Sequence, residues 1–210
     1  MFDANNQTHG TELWAIDKTS QNWEATLVCD IWQGSPSGQP NSGSDEPAVI
    51  GDRIYFSARD QTHGSELWSF NSIDQTCTRN SDIRSGSQGS NPGSVSTGFH
   101  NIAGIIAFSA NDGTSGNELW FYSPENSTSW LAADLTSGAI SSYPGQYSGF
   151  TTTDEGHAYF TASSSGSGYE PHVIDATDFS TSLLADIRAG PHSSESARNT
   201  GYVIMNRDMY

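Results

Sequence analysis

The stretch Phe108-Ser109-Ala110-Asn111-Asp112-Gly113-Thr114-Ser115-Gly116-Asn117-Glu118-Leu119-Trp120 decides the fold, because its frame occurs four times. Glu12-Leu13-Trp14, Glu66-Leu67-Trp68, Glu118-Leu119-Trp120 and Glu170-Pro171-His172 fall in register, their glutamates 54, 52 and 52 residues apart. A glycine stands two residues before each glutamate: Gly10, Gly64, Gly116 and Gly168. Upstream lies an aromatic strand end, Phe2-Asp3-Ala4, Phe56-Ser57-Ala58, Phe108-Ser109-Ala110 or Phe160-Thr161-Ala162. Each copy so far reads as strand, glycine turn, strand.

Downstream the register holds at Asp30-Ile31, Asp82-Ile83, Asp134-Leu135 and Asp186-Ile187, each aspartate followed four residues later by a glycine. A third strand ends there. A long loop rich in serine, glycine and proline follows, and then a short fourth strand: Ala48-Val49-Ile50, Phe99-His100-Asn101-Ile102, Phe150-Thr151-Thr152 or Tyr202-Val203-Ile204. Four strands per copy, with apolar residues on both strand faces as in Ile54-Tyr55-Phe56, predict an all-β chain folded as a β-propeller of four four-stranded blades. A β-solenoid has shorter coils, and a sandwich does not normally repeat one signature four times.

The repeat units run over about residues 1–54, 55–106, 107–158 and 159–210, all in one domain. The chain ends Arg207-Asp208-Met209-Tyr210 where an internal copy reads Asp52-Arg53-Ile54-Tyr55-Phe56, so Tyr210 aligns with Tyr55 and Phe2 with Phe56. The two ends are complementary halves of one blade. The expectation is a ring in which Gly201 to Tyr210 pairs with the amino-terminal strands and covers their open edge. Four units cut from a longer array would match as well, and two chains would then form one larger ring, leaving monomer and homodimer both open.

Lysine and arginine number 8 against 24 aspartates and glutamates, a formal net charge of −16 in 210 residues, which argues against nucleic acid and anionic membranes as partners. No apolar run approaches the roughly 20 residues of a membrane helix, so no membrane insertion is expected. Phe2-Asp3-Ala4 after Met1 lacks the basic and apolar regions of a signal peptide. Cys29 and Cys77 occupy different places in the repeat, which speaks against a twinned metal site and leaves a disulfide open. Asn6-Gln7-Thr8 and Asn126-Ser127-Thr128 fit the glycosylation acceptor pattern, a triplet common by chance in so serine- and threonine-rich a chain.

The pattern of aromatic strand, Asn-Asp-Gly-Thr-x-Gly-x-Glu-Leu-Trp and Asp-Ile-x-x-Gly, best matched from Asn111 to Trp120, resembles the bacterial and archaeal family named for its ELWxxDGT repeats. The resemblance implies a secreted or cell-surface propeller with no generally agreed activity. The chain departs from the family after Glu-Leu-Trp, where Ala15-Ile16-Asp17, Ser69-Phe70-Asn71 and Phe121-Tyr122-Ser123 stand in place of Asp-Gly-Thr, and the fourth unit has Pro171-His172 for Leu-Trp. Ser109 to Trp120 is also similar to the Asp-box hairpin of sialidase-type propellers, a structural motif there.

Oxygen ligands before each Glu-Leu-Trp, with Asp60, Asp112, Glu66 and Glu118 foremost and Asn5, Asn6 and Asn111 beside them, suit calcium. The competing role is to bind nearby backbone amides, and it is favoured: Ser164 replaces the acid in unit four, and no dense Asp-x-Asp-x-Asp array exists. The repeated Asp30, Asp82, Asp134 and Asp186 are expected to cap their own turns, although they could together line one face of the ring. Trp14, Trp68 and Trp120 recur mid-strand, which places them where blade packs on blade. Aromatics in the variable loops, Trp32, Tyr143 and Tyr147, with Trp23 behind them, are the candidates for ligand contact.

None of the six histidines lies in a metal-ligand motif, and His9 and His63 share one repeat position that Ser115 fills in unit three. No nucleophile elbow is present. The sequence thus reads as a non-enzymatic, extracellular binding or adhesion module whose partner is carbohydrate, a surface protein or a cation. Two rivals stand beside it. A polysaccharide hydrolase would need acids and a base among Arg53, Arg84, Arg188 and Arg207 at the ring's centre; a purely architectural propeller would need no ligand.

Overall fold

The computed structural model describes residues 1–19, 22–41, 46–95, 98–198, 201–205 and 208–209. The described elements are all strands: β1 (Phe2–Asn5), β2 (Thr11–Thr19), β3 (Asn22–Cys29), β4 (Ala48–Ile50), β5 (Arg53–Asp60), β6 (Gly64–Asn71), β7 (Thr76–Arg79), β8 (His100–Ile102), β9 (Ile105–Asn111), β10 (Asn117–Ser123), β11 (Thr128–Ala133), β12 (Phe150–Thr152), β13 (Ala158–Ser164), β14 (Gly168–Ile174), β15 (Thr181–Leu183), β16 (Ile204–Met205) and β17 (Asp208–Met209). β4 to β7, β8 to β11 and β12 to β15 form three antiparallel four-stranded sheets in chain order, β1 to β3 a three-stranded sheet, and β16 and β17 a two-stranded one. Each complete sheet takes its first strand from the tail of one repeat unit and the other three from the next.

The two-sided strands explain the stacking. Successive side chains of a strand point to opposite faces, so a strand apolar at neighbouring positions must be covered twice. Tyr55 of β5 joins Phe99, Phe108 and Tyr122 of the following sheet, whereas Phe56 turns the other way to Leu13 and Cys29 of the preceding one. In the same manner Phe108 looks back to Tyr55 while Ala107 and Phe121 look forward to Phe160 and Ile174. Three apolar seams therefore join four successive sheets, and each fully buried aromatic contributes roughly 2–3 kcal/mol. Trp68 and Trp120 pack against the first and second seams, as their mid-strand places predict.

The first seam is also covalent. Cys29 of β3 and Cys77 of β7 form a disulfide with their Cα atoms 6.2 Å apart, joining strands that lie side by side in neighbouring sheets. At the third seam the ring of His100 in β8 lies 4.7 Å from that of Phe150 in β12. Burial pushes the His100 imidazole down to about 4, because a charge there would lose its water.

The terminal strands keep the pairing of an internal sheet: Ile204 opposite Met209 and Met205 opposite Asp208, in β16 and β17, correspond to Val49 opposite Ile54 and Ile50 opposite Arg53. The one described partner of β1 is β2. In internal copies the long strand is a single covalent run, as in β5. At the ends the corresponding strand is split between Asp208–Met209 and Phe2–Asn5, and β16 and β17 form the same opening hairpin that β4 and β5 form inside the chain. Tyr210 and Arg207, on which the alignment of the two ends drew, lie outside the described residues. The hairpin region is also anchored to the last four-stranded sheet, where Tyr202 Oη and Thr161 Oγ1 stand 2.8 Å apart and the Tyr202 amide donates to Thr151 Oγ1 at 3.3 Å.

Cleaving the disulfide frees a loop of 48 residues' separation, and chain-entropy arguments put the loss at roughly 4 kcal/mol; urea unfolding with and without reductant, and of Cys77→Ser, should show it. The His100 effect has a definite sign. Its folded pKa lies below the ordinary value of 6.5, so its contribution is present above that pH and is lost as pH falls towards about 4. The stability difference between the chain and His100→Phe, measured across that window, should shrink with acid by roughly 2–3 kcal/mol.

Candidate functional site

Four buried glutamates hold the loops at one end of the sheets. Glu12, Glu66, Glu118 and Glu170 are each 0% exposed. Glu66 accepts the amides of Ile83 (3.1 Å), Arg84 (3.2 Å) and Ser90 (2.9 Å) and the hydroxyls of Ser81 (2.7 Å) and Ser90 (2.9 Å). Glu118 accepts the Leu135 amide (3.0 Å) and the amide and hydroxyl of Ser142 (2.8 and 2.6 Å). Glu12 takes Ile31, Trp32 and Gly38, and Glu170 takes Ile187 and Ser194. Each carboxylate thus ties the turn after the third strand to the middle of the long connection, residues far beyond the local amides expected of it. Burial raises Glu118 to about 7 against the Ser142 and Leu135 donors, with the Asp134 charge adding to the rise.

The remaining acids are occupied locally. Asp60 accepts the Thr62 and His63 amides at 2.8 and 2.6 Å, and its Oδ2 lies 2.9 Å from His63 Nδ1. Asp112 accepts the Thr114 and Ser115 amides, both at 2.7 Å, and both hydroxyls. Burial works to raise both carboxyls, but these donors outweigh it and hold them below the usual range. Asp186 caps its turn through the Gly190 amide at 3.3 Å, as expected; Asp82 instead faces Arg79 at 3.9 Å, and Asp30 Oδ1 is buried without a hydrogen-bond partner. Among the described residues no three His, Cys, Asp or Glu side chains gather as a metal-ligand group.

The latched loops present a repeated backbone feature. Gln39, Asn91, Tyr143 and Glu195 occupy one repeat position and have φ of 46°, 49°, 49° and 56°. Side-chain-bearing residues seldom adopt this left-handed conformation. It is fixed because neighbouring amides converge on one carbonyl: Ser90 and Asn91 on Ser65 O, Ser142 and Tyr143 on Asn117 O. The turn alongside is equally tight, since Gly64 has φ of +66° and a Cβ there would lie 2.6 Å from Ser87 O.

At the mouths of the seams these positions carry different side chains in each unit. At the first seam Gln39, Arg59, Ser65, Arg84, Ser87 and Asn91 surround a cavity of about 380 Å³. The Arg59 guanidinium lies 5.1 Å over the half-buried Trp32 ring. At the third seam the equivalents of Gln39 and Ser65 are Tyr143 and Tyr169. Tyr143 is 37% exposed, Tyr147 packs edge-on against Tyr169 at 5.1 Å, and Arg198 lies 5.0 Å over Tyr147. Burial, with Tyr147 and Tyr143 nearby, pushes the Tyr169 hydroxyl up to about 12, and Tyr169 Oη donates to Gln146 at 3.2 Å. The structure thus gathers Tyr143 and Tyr147 into one cluster and sets Trp32 at the corresponding mouth two seams away. Arg59, Arg84, Tyr169 and Arg198 complete the mouths; for Arg59, Tyr169 and Arg198 the signal in the sequence is departure from the repeat, whereas Arg84 shares its position with Arg188 and was read as a candidate base.

No protein-family model matches the chain, the ELWxxDGT repeats included, and no curated protein matches it. Among solved structures it is similar to puromycin hydrolase, with a TM-score of 0.56, 15% identity, and coverage of 89% of this chain and 26% of that one. A mutant of puromycin hydrolase complexed with PGG gives 0.53, 16%, 86% and 25%, and TolB from Acinetobacter baumannii 0.47, 14%, 77% and 35%. The chain spans about a quarter of the hydrolase. At this identity the likeness is one of fold, and the fold is a β-propeller.

The latches should be unequal in strength. Replacing Glu66 by Gln turns one carboxylate oxygen of a five-donor site into an N–H group facing donors, a loss of roughly 3–5 kcal/mol. Glu118→Gln, with three donors and a carboxyl already easily protonated, should cost about 1–3 kcal/mol. Denaturant midpoints of the two variants at neutral pH measure the difference.

Proposed function

We propose that the chain is a non-enzymatic binding module, secreted or displayed at a cell surface, that presents the mouths of its seams to glycans. The observation that carries this reading is where the repeat is broken. Residues that build the blades recur in every unit, whereas Trp32, Arg59, Arg84, Tyr143, Tyr147 and Tyr169 vary between units and cluster on one end of the sheets. Side chains on rigidly held loops that the fold does not require are available for recognition. Aromatic faces suit the apolar face of a sugar ring, and the amides of Gln39, Asn91 and Gln146 suit its hydroxyls.

The disulfide fits an oxidising compartment outside the cell, and the net charge of −16 suits a neutral or sparsely charged partner. A glycan array probed with the purified chain, followed by calorimetry with the best ligand, tests the reading. Trp32→Ala or Tyr147→Ala should weaken binding by about tenfold, the worth of one stacked aromatic. An array blank throughout would refute glycan binding, and turnover of any bound glycan would replace the module by a hydrolase.

A further inference from the structure

We propose that the cavity at the mouth of the first seam takes the carboxylate of an acidic sugar residue. The inference rests on the reading of the chain as a glycan-binding module and names the chemistry that one of its mouths selects.

Arg59 and Arg84 are two of only 8 lysines and arginines in the chain, and both line this cavity, whose other lining residues are Gln39, Ser65, Ser87, Gln88 and Asn91. No carboxylate among the described residues lines it. Among the described residues neither arginine has an ion pair, although acids outnumber bases threefold. Neither is demanded by the repeat: the counterparts of Arg59 are Asn5, Asn111 and Ser163, and those of Arg84 are Trp32, Thr136 and Arg188.

Both guanidinium groups are positioned. The Arg59 guanidinium carbon stands 5.1 Å over the Trp32 ring centroid, a contact that holds the group by the ring and leaves N–H groups to donate. Arg84 donates from Nη2 to Gln88 Oε1 and lies against Gly113, where an added Cβ would stand 3.0 Å from its Nε. Two preset forks of N–H donors match a carboxylate, and the surrounding amides and hydroxyls match the alcohols of the ring that bears it. The field of a chain at −16 repels a polyanion, so the pocket suits an isolated acid in a largely neutral glycan.

The test uses matched pairs of methyl glycosides, glucuronate against glucose and galacturonate against galactose, which differ only in carrying a carboxylate in place of a hydroxymethyl group. Calorimetry with the intact chain should show at least one uronate bound about tenfold more tightly than its neutral partner, the worth of one charge-assisted pair. Arg59→Gln and Arg84→Gln should each abolish that preference, while Arg188→Gln, the counterpart of Arg84 at another mouth, should leave it intact. Circular dichroism checks that all three variants remain folded. Equal affinity for both members of each pair, with the arginine variants indistinguishable from the parent, overturns the pocket's selectivity and leaves glycan binding standing. Inorganic sulfate displacing the uronate at equal concentration reduces the site to a simple anion site and overturns the sugar assignment. Binding of neither member of either pair overturns the pocket, and if the array is blank as well, the module reading falls with it.

Discussion

A carboxylate placed out of reach of water is tolerable only when donors replace its hydration, and the molecule is arranged around doing so four times. Each latch glutamate sits second or third in a central strand, where its backbone pairs with an alanine of the preceding strand (Ala4, Ala58, Ala110 or Ala162), and it draws in amides from about 17 to 26 residues further along the chain. The long connections carry no ladder of their own over most of their length, so these buried contacts determine their path. The serine loops, the left-handed residues and the seam mouths all take their positions from the carboxylate beneath them.

The latch also shows why the repeat was easy to read and its meaning was not. Glu-Leu-Trp at a fixed period is visible because one site recurs with the same geometry. The donors to the glutamate are mostly backbone amides, which any residue supplies, and so they leave almost no trace in the sequence. Ser90, Ser142 and Ser194 recur for the same purpose, but a serine in a serine-rich loop is inconspicuous, and in the first unit Gly38 stands in that place, where the carboxylate leaves no room for a side chain. The acids before each Glu-Leu-Trp were legible as turn formers because their partners are two or three residues away. Sequence distance, more than residue type, separated what could be read from what could not.

The same reasoning accounts for the seam mouths. Trp32, Tyr143 and Tyr147 were visible as loop aromatics, but Tyr169 lies at the start of a strand and looked like part of the blade until its repeat position was compared with Ser65, Thr11 and Asn117. Arg59 was hidden for a similar reason, and Arg84 was legible only as a candidate base for the ring's centre; each is an ordinary surface residue alone, and becomes notable once the fold brings both to one cavity. The terminal strands were legible for a simpler reason. Their letters match an internal strand, and β16 and β17 pair in the register of β4 and β5.

Each complete sheet begins with a strand encoded at the tail of the preceding unit, so the stretch that repeats in the sequence and the stretch that folds as a sheet are out of phase by one strand. No single repeat can complete a sheet by itself, and a lone copy would leave one strand without its sheet and one sheet without its inner partner. Excising or fusing units at the repeat boundary therefore cuts a sheet between its first and second strands, whereas a cut in the long connection after the unit's third strand leaves the neighbouring sheets whole.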